Sequence, residues 1–257
     1  MTSDHTPLDR AHLDAEASGG DSARLTFFER LAEAELHLLL EEAEGDTITP
    51  RLFEVEGARY ALAFDLPERL TAFAGAAPTA TLSGRRLAGM LAAEGLGLGL
   101  NLEDAPSAQL LEPASIAWLS ETLSHAPDET EHRIEAVAPP GALPERLLVA
   151  LDGKLGLATG LARNAYLAAV TYAGGGRGHI LGFVDAVPGA EPDLARAVSE
   201  ALVFSGLDAG QLDVTFLRAQ APLAARLARQ GLRIEIPQPA APKPVTPPGS
   251  DGPPRLR

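Results

Sequence analysis

The sequence predicts an α+β or α/β protein of two small mixed-sheet domains, built from hairpins and packed helices and followed by a disordered Pro-rich tail. The chain has 257 residues, 46% of them hydrophobic, and at roughly 100–200 residues per domain this length suits two small domains. Apolar residues with helical spacing alternate with short apolar runs, and glycine-containing turns typical of β-hairpins join two pairs of these runs. A polar stretch, residues 125–130, is predicted to be the linker.

The first domain is predicted over residues 22–124. Residues 1–21 show no sustained hydrophobic period, so we expect them to form a flexible N-terminal arm. From Ser22 the apolar spacing becomes helical and places Glu29 and Glu33 on the polar face. The elements that follow are a strand over 36–40, a hairpin with arms 52–55 and 60–64, a helix over 65–74, a strand over 79–82, a helix over 84–93, a strand over 96–102 and a helix over 112–123.

The second domain is predicted over residues 131–237. Its elements are a strand over 132–138, a helix over 144–158, a hairpin with arms 165–172 and 179–187, a helix over 192–204, a strand over 212–217, a helix over 222–229 and a strand over 233–236. Residues 238–257 are rich in proline and poor in large apolar side chains. Such a segment cannot bury enough surface to offset its loss of entropy, so the tail is predicted to be disordered.

The charge of the chain bears on its partners. It has 35 acidic and 21 basic residues, a net charge of −14. The tail holds three basic residues and one acidic residue, which leaves −16 on residues 1–237. Such a body repels phosphate groups, so we expect neither nucleic acid nor anionic membrane as a partner. A basic protein or a cationic ligand fits better, although acidity also serves solubility alone.

Several classes of site are excluded by composition. The chain has no cysteine, which excludes disulfides, thiolate metal sites and a cysteine nucleophile. The six histidines are scattered without metal-ligand spacing, and no nucleophile-elbow motif occurs. We therefore expect no metal, no cofactor and no catalytic residues. No secretory signal or apolar run of about 18 residues is visible, so we expect a cytoplasmic protein.

Two segments resemble a known family. Residues 30–75 (RLAEAELHLLLEEAEGDTITPRLFEVEGARYALAFDLPERLTAFAG) and 82–102 (LSGRRLAGMLAAEGLGLGLNL) look like the N-terminal domain of the bacterial SseB family. AYLAAV, LGFVDAV and RQGLRIEIP, within about 144–237, resemble the C-terminal domain often paired with it. The family is named for enhanced serine sensitivity. The resemblance implies a two-domain cytoplasmic protein loosely linked to amino-acid or sulfur metabolism, and it supplies no catalytic residue or cofactor.

One segment could bind an anion. Ser83, Gly84, Arg85 and Arg86 place a hydroxyl, backbone amides and two guanidinium groups where a helix follows a strand, and helix N-termini attract anions. Asn101, at the end of the next strand, could lie near them. The alternative is a helix capped by Ser83 and carrying two solvated arginines.

Other features have structural explanations. Gly95, Gly97 and Gly99 alternate within a strand without opening a helix, so they indicate close packing rather than a dinucleotide loop. The glycine run 174–178 is predicted to be a hairpin turn. Trp118 would anchor a protein interface if exposed, or pack in the core or at the domain junction if buried.

These observations leave three hypotheses. The first is a non-enzymatic accessory or regulatory protein that acts through protein–protein contacts, with a partner still to be identified. The second is a sensor that binds an anion or an amino acid at residues 83–86. The third is an enzyme with an unrecognised site.

Overall fold

The computed structural model describes residues 5–41, 49–124, 133–173, 175–207 and 212–239. The helices within these ranges are α1 (Pro7–Ser18), α2 (Asp21–Glu33), α3 (Pro67–Ala74), α4 (Gly84–Ala93), α5 (Pro113–Ser124), α6 (Glu145–Leu157), α7 (Glu191–Phe204) and α8 (Pro222–Gln230). The strands are β1 (Glu35–Leu39), β2 (Leu52–Val55), β3 (Ala58–Phe64), β4 (Thr79–Ser83), β5 (Gly97–Leu100), β6 (Gln109–Leu111), β7 (Ile134–Ala138), β8 (Asn164–Tyr172), β9 (Arg177–Val184), β10 (Leu212–Leu217) and β11 (Leu232–Ile234). These elements confirm the predicted α+β class with two mixed sheets.

The first sheet has the order β4-β1-β3-β5-β6, with β2 also paired to β3. Strand side chains alternate between faces. Leu36, Ala61 and Leu98 therefore pack on one face against α1, α2, α4 and α5. Leu62 and Phe64 lie on the other face, in a cluster completed by α3. The pairing of β3 with β5 is parallel and that of β1 with β4 antiparallel, so the sheet is mixed.

Gly97 and Gly99 of β5 confirm the close packing predicted from the sequence. The prediction is wrong for Gly95, which precedes the strand with a φ of 63° and where a Cβ would meet nothing within 4 Å. Gly97 lies opposite Tyr60, and Gly99 lies opposite Leu62. A Cβ atom at Gly97 would lie 2.5 Å from the Tyr60 ring, and one at Gly99 would lie 2.4 Å from Leu62 Cδ2. Glycine is required here because the neighbouring side chains of β3 lie over the β5 backbone.

The second sheet has the order β10-β9-β8-β11, with β7 also paired to β8. Leu167, Leu181 and Phe183 pack on one face against α6 and α7. Ala168 and Ile180 lie on the opposite face, in a cluster that includes residues of α8. Strands of the first sheet lie within residues 35–111 and those of the second within 134–234. The predicted linker at 125–130 and the tail beyond Pro239 lie outside the described residues.

The predicted flexible arm is wrong over residues 7–18, which form α1. Thr6 caps this helix through a reciprocal pair of bonds with Asp9. Asp9 itself is fully buried. Its carboxylate accepts hydrogen bonds from Arg69 at 2.5 and 3.0 Å and from the Ser107 hydroxyl at 2.5 Å. The helix is therefore attached through contacts distant in sequence. Strand β6 was also not predicted.

Candidate functional site

The helical layers of the two domains are in contact. Phe204, at the end of α7 in the second domain, is buried and belongs to the core cluster of the first domain. There it joins α2 and α5 residues such as Leu31 and Leu119. Gly206 follows, and a Cβ on it would lie 3.5 Å from Leu25 Cδ1 of α2. The end of α7 therefore joins the two domains through apolar packing.

A cluster of charged side chains, of which Lys154, Glu29 and Glu200 are buried, lies beside Phe204. The Lys154 ammonium of α6 donates to Glu33 Oε1 of α2 at 2.8 Å. It also lies 3.5 Å from Glu29 Oε1 and 3.4 Å from Glu200 Oε2. The Lys154 side chain is only 6% exposed. A lysine buried to this degree needs several anionic partners, and here two of its three carboxylates come from the other domain.

Arg85 makes a second ionic contact between the domains. Its guanidinium donates to Glu200 Oε2 at 2.8 Å and to the Leu123 carbonyl at 3.3 Å. Burial raises the pKa of the Glu29 carboxyl, attraction to Lys154 offsets part of this rise, and repulsion from Glu33 adds to it. Glu200 has a cation on either side, whereas Glu29 has only Lys154 in direct contact. These two carboxylates therefore lie in different electrostatic environments.

A groove of about 480 Å³ opens above this cluster. One wall is α2 and the other is α6, and Phe204 and Ser205 lie at its base. Two lining residues of α6 are unusually exposed for apolar side chains: Val149 is 64% and Leu157 is 74% exposed. Binding grooves often form where domains meet, and this one combines its apolar side chains with three carboxylates and three cations, Glu29, Glu33, Glu145, Arg30, Arg146 and Lys154. This interdomain groove is the candidate functional site.

The predicted anion site at residues 83–86 is occupied by contacts within the chain. Ser83 caps α4 as predicted, accepting from the Arg86 amide at 3.3 Å. The Gly84 amide donates to the Ala34 carbonyl at 2.8 Å. Arg85 is engaged by Glu200, while Arg86 is exposed. The first and third amides of the helix and one of its two arginines therefore already have partners in the protein.

The structure does not bring Asn101 to this segment. Strands β1 and β3 lie between β4 and β5 in the sheet, which separates Ser83 from Asn101. Asn101 is buried, accepts from the Asp65 amide at 2.9 Å and donates to the Ser107 hydroxyl at 2.8 Å. It belongs to the network that holds α1. Its position at the end of a strand was predicted, but its partners depend on the order of the strands.

Trp118 lies between the two alternatives predicted for it, because it is neither fully exposed nor fully buried. Its ring makes an edge contact with Phe28 at 5.2 Å between centroids. The residue is nevertheless 36% exposed. It therefore packs against α2 with one side and presents the rest to solvent.

The charge cluster was not predicted from the sequence, although one residue signals it. Lys154 is one of only two lysines in the chain, and the other lies in the tail. Leu147, Leu151 and Leu155 occupy the buried face of α6, and the helical spacing places Lys154 beside them. Glu29, which the periodicity assigned to the polar face, is buried in the structure. A lysine on an apolar helix face predicts a carboxylate partner, but the location of that partner depends on the fold.

Within the described ranges, no group of three or more histidine and carboxylate side chains could hold a metal ion. None of the helices in those ranges has the length and apolarity to cross a membrane. No family profile, no curated protein and no solved structure matches the chain.

Proposed function

We propose that this chain is a non-enzymatic accessory or regulatory protein that acts through protein–protein contacts. We place the contact at the interdomain groove, with a segment of a partner protein as its occupant. The proposal rests on the exposure of Val149 and Leu157 on one face of α6, at the edge of a groove with walls from both domains. Exposed apolar residues beside a groove are a feature of protein-binding surfaces.

The spacing of these residues supports a protein segment as the occupant. Val149 and Leu157 are eight positions apart, which corresponds to about 12 Å along a helix. A partner must present apolar groups over the same distance to cover both. The resemblance to the SseB family, with its loose link to amino-acid or sulfur metabolism, and a cytoplasmic location are part of the same proposal.

The test compares two exposed leucines, one at the groove and one away from it. Tagged full-length protein, Leu157→Ser and Leu232→Ser are used to capture partners from a lysate of the native cells, with mass-spectrometric identification. Leu232 is 45% exposed on β11 in the second domain, away from the groove lining. A stoichiometric partner should be retained by wild type and Leu232→Ser and lost with Leu157→Ser. The purified partner should then rebind with the same preference.

Two results would contradict the proposal. Equal capture by Leu157→Ser and wild type would remove the groove from the interface. Turnover of a metabolite by the purified chain, abolished by a single substitution, would instead make it an enzyme. A version lacking residues 238–257, assayed in parallel, separates any contribution of the tail from that of the groove.

A further inference from the structure

We infer that residues 240–247, the first part of this chain's own tail, fold back along α6 and cover Leu157 and Val149. The docking of the tail goes beyond the proposed function, and its effect on partner binding rests on that function. The inference is carried by the place where the chain leaves the described structure, by the length of chain that follows, and by the composition of that length.

The described residues end at Pro239, beside the C-terminal end of α6. The Gly160 amide donates to the Pro237 carbonyl at 2.8 Å, and a Cβ on Gly160 would lie 3.2 Å from Pro239 Cδ. Gly160 is three residues beyond Leu157, so at most about 11 Å separates their Cα atoms. The tail therefore starts next to the exposed leucine of the groove.

The tail is long enough to reach both exposed apolar residues. Val149 lies about 12 Å further along α6 than Leu157, so a path from Gly160 past Leu157 to Val149 measures at most about 23 Å. Polyproline II backbone extends by about 3.1 Å per residue, and the eight residues 240–247 therefore span about 25 Å. The prolines at 242, 244 and 247 favour this extended backbone.

The composition of residues 240–247 suits an apolar face. Their sequence, AAPKPVTP, has one charge, on Lys243. Because the groove lining holds equal numbers of carboxylates and cations, we ascribe the contact to Val245 and the prolines rather than to charge. The tail cannot bury enough apolar surface by itself, but α6 supplies such a surface, and the tether holds the tail there at a high effective concentration. A partner segment that needs the same face would have to displace it.

The absence of cysteine from the chain allows a disulfide-trapping test in the full-length protein. Val245→Cys is combined with Gly153→Cys on the exposed face of α6, or with Gly89→Cys on α4 as the control. A Cβ at either glycine would meet nothing within 4 Å. Both pairs are oxidised with oxidised glutathione, and cross-linking is followed by the mobility of the denatured chain on non-reducing gels. Each pair is also prepared with Leu157→Ser and with Leu232→Ser.

We expect the pair at 153 and 245 to form an intramolecular disulfide at least about tenfold faster than the control pair, because docking raises the local concentration of the second thiol. Leu157→Ser should slow this reaction, and Leu232→Ser should not. A rate insensitive to Leu157→Ser would mean that the tether alone brings the cysteines together, and this would overturn the inference. Equal rates for the two pairs would also overturn it, as would a cross-linked dimer, which would place the tail on a second copy of the chain.

Chains that end at Pro239 or at Pro247 separate this inference from the proposed function. The shorter chain should bind the purified partner more tightly by the inverse of the undocked fraction, about tenfold if nine tenths of the tails are docked, and the longer one should bind it like the full-length chain. Equal affinities would overturn the competition. Trapping without any partner that depends on Leu157 would support the docked tail and contradict the proposed function, whereas such a partner without trapping would contradict the docked tail alone.

Discussion

The contact between the start of α4 and the end of α2 gives the sharpest test of the structure. An ideal Cβ on Gly84 would lie 1.7 Å from the Leu31 carbonyl oxygen and 2.8 Å from the Leu31 carbonyl carbon. Ordinary contact begins at about 3.4 Å, so Gly84→Ala must separate two backbone segments by more than 1 Å. This shift would also disturb the 2.8 Å bond from the Gly84 amide to Ala34. Overpacking typically costs about 1–3 kcal/mol, and we expect a loss near about 3 kcal/mol because the obstacle is backbone.

Gly89→Ala is the matched control on the same helix. A Cβ at Gly89 meets nothing within 4 Å, so alanine should stabilise α4 by about 0.5–1 kcal/mol. Urea unfolding followed by the fluorescence of Trp118, the one tryptophan in the chain, reports on the first domain. A Gly84→Ala variant within about 0.5 kcal/mol of wild type would refute the packing of α4 on α2.

Three further outcomes are expected. Lys154→Met leaves Glu29 buried without its cation, while Glu33 keeps Arg30 and Glu200 keeps Arg85, and should destabilise the protein by about 3–5 kcal/mol in urea unfolding; adding Glu29→Gln should recover part of the loss, and no recovery would refute the pairing. Asp9→Asn weakens the bonds to Arg69 and should make α1 the earliest segment to exchange amide hydrogens, whereas unchanged protection of α1 would contradict the network. Burial alone would raise the pKa of Asp9, but hydrogen bonds from Arg69, Ser107 and Thr6 outweigh this effect and hold that pKa well below its usual range. The stability contributed by Asp9 should therefore be complete above its ordinary pKa of about 3.9 and decline as pH falls below that value. The difference in unfolding free energy between wild type and Asp9→Asn should then narrow in acid, and a constant difference would contradict this prediction.

Much of the fold could be predicted because it depends on local patterns. The hairpin of β2 and β3, the strand over Leu212–Leu217 and the capping of α4 by Ser83 each follow from spacing or turn chemistry within a few residues. The close packing of β5 was also predictable, since glycines that alternate within a strand indicate a neighbour lying over the backbone. Which neighbour it was depended on the pairing of β5 with β3.

The remaining features depend on contacts distant in sequence. Helix α1 buries mainly Leu8 and small alanines on its apolar face, a weak periodic signal. Its attachment depends on Asp9 and Ser107, which are 98 residues apart. The candidate site is of the same kind, because Lys154 and Glu33 are 121 residues apart. No local pattern encodes these pairs, although the presence of a lysine on an apolar helix face signals that a partner must exist.

The buried charges also bear on how the groove keeps its shape. A buried ion pair often adds little net stability, because desolvation offsets most of the attraction. A small sliding of α6 along α2, however, would leave Lys154 or a carboxylate buried without its counter-charge, and that arrangement is strongly unfavourable. Phe204 restricts the same movement through its packing in the first core. We therefore infer that the cluster specifies one relative placement of the two helical layers. A partner would then meet a preformed surface composed of both domains rather than two domains that close around it.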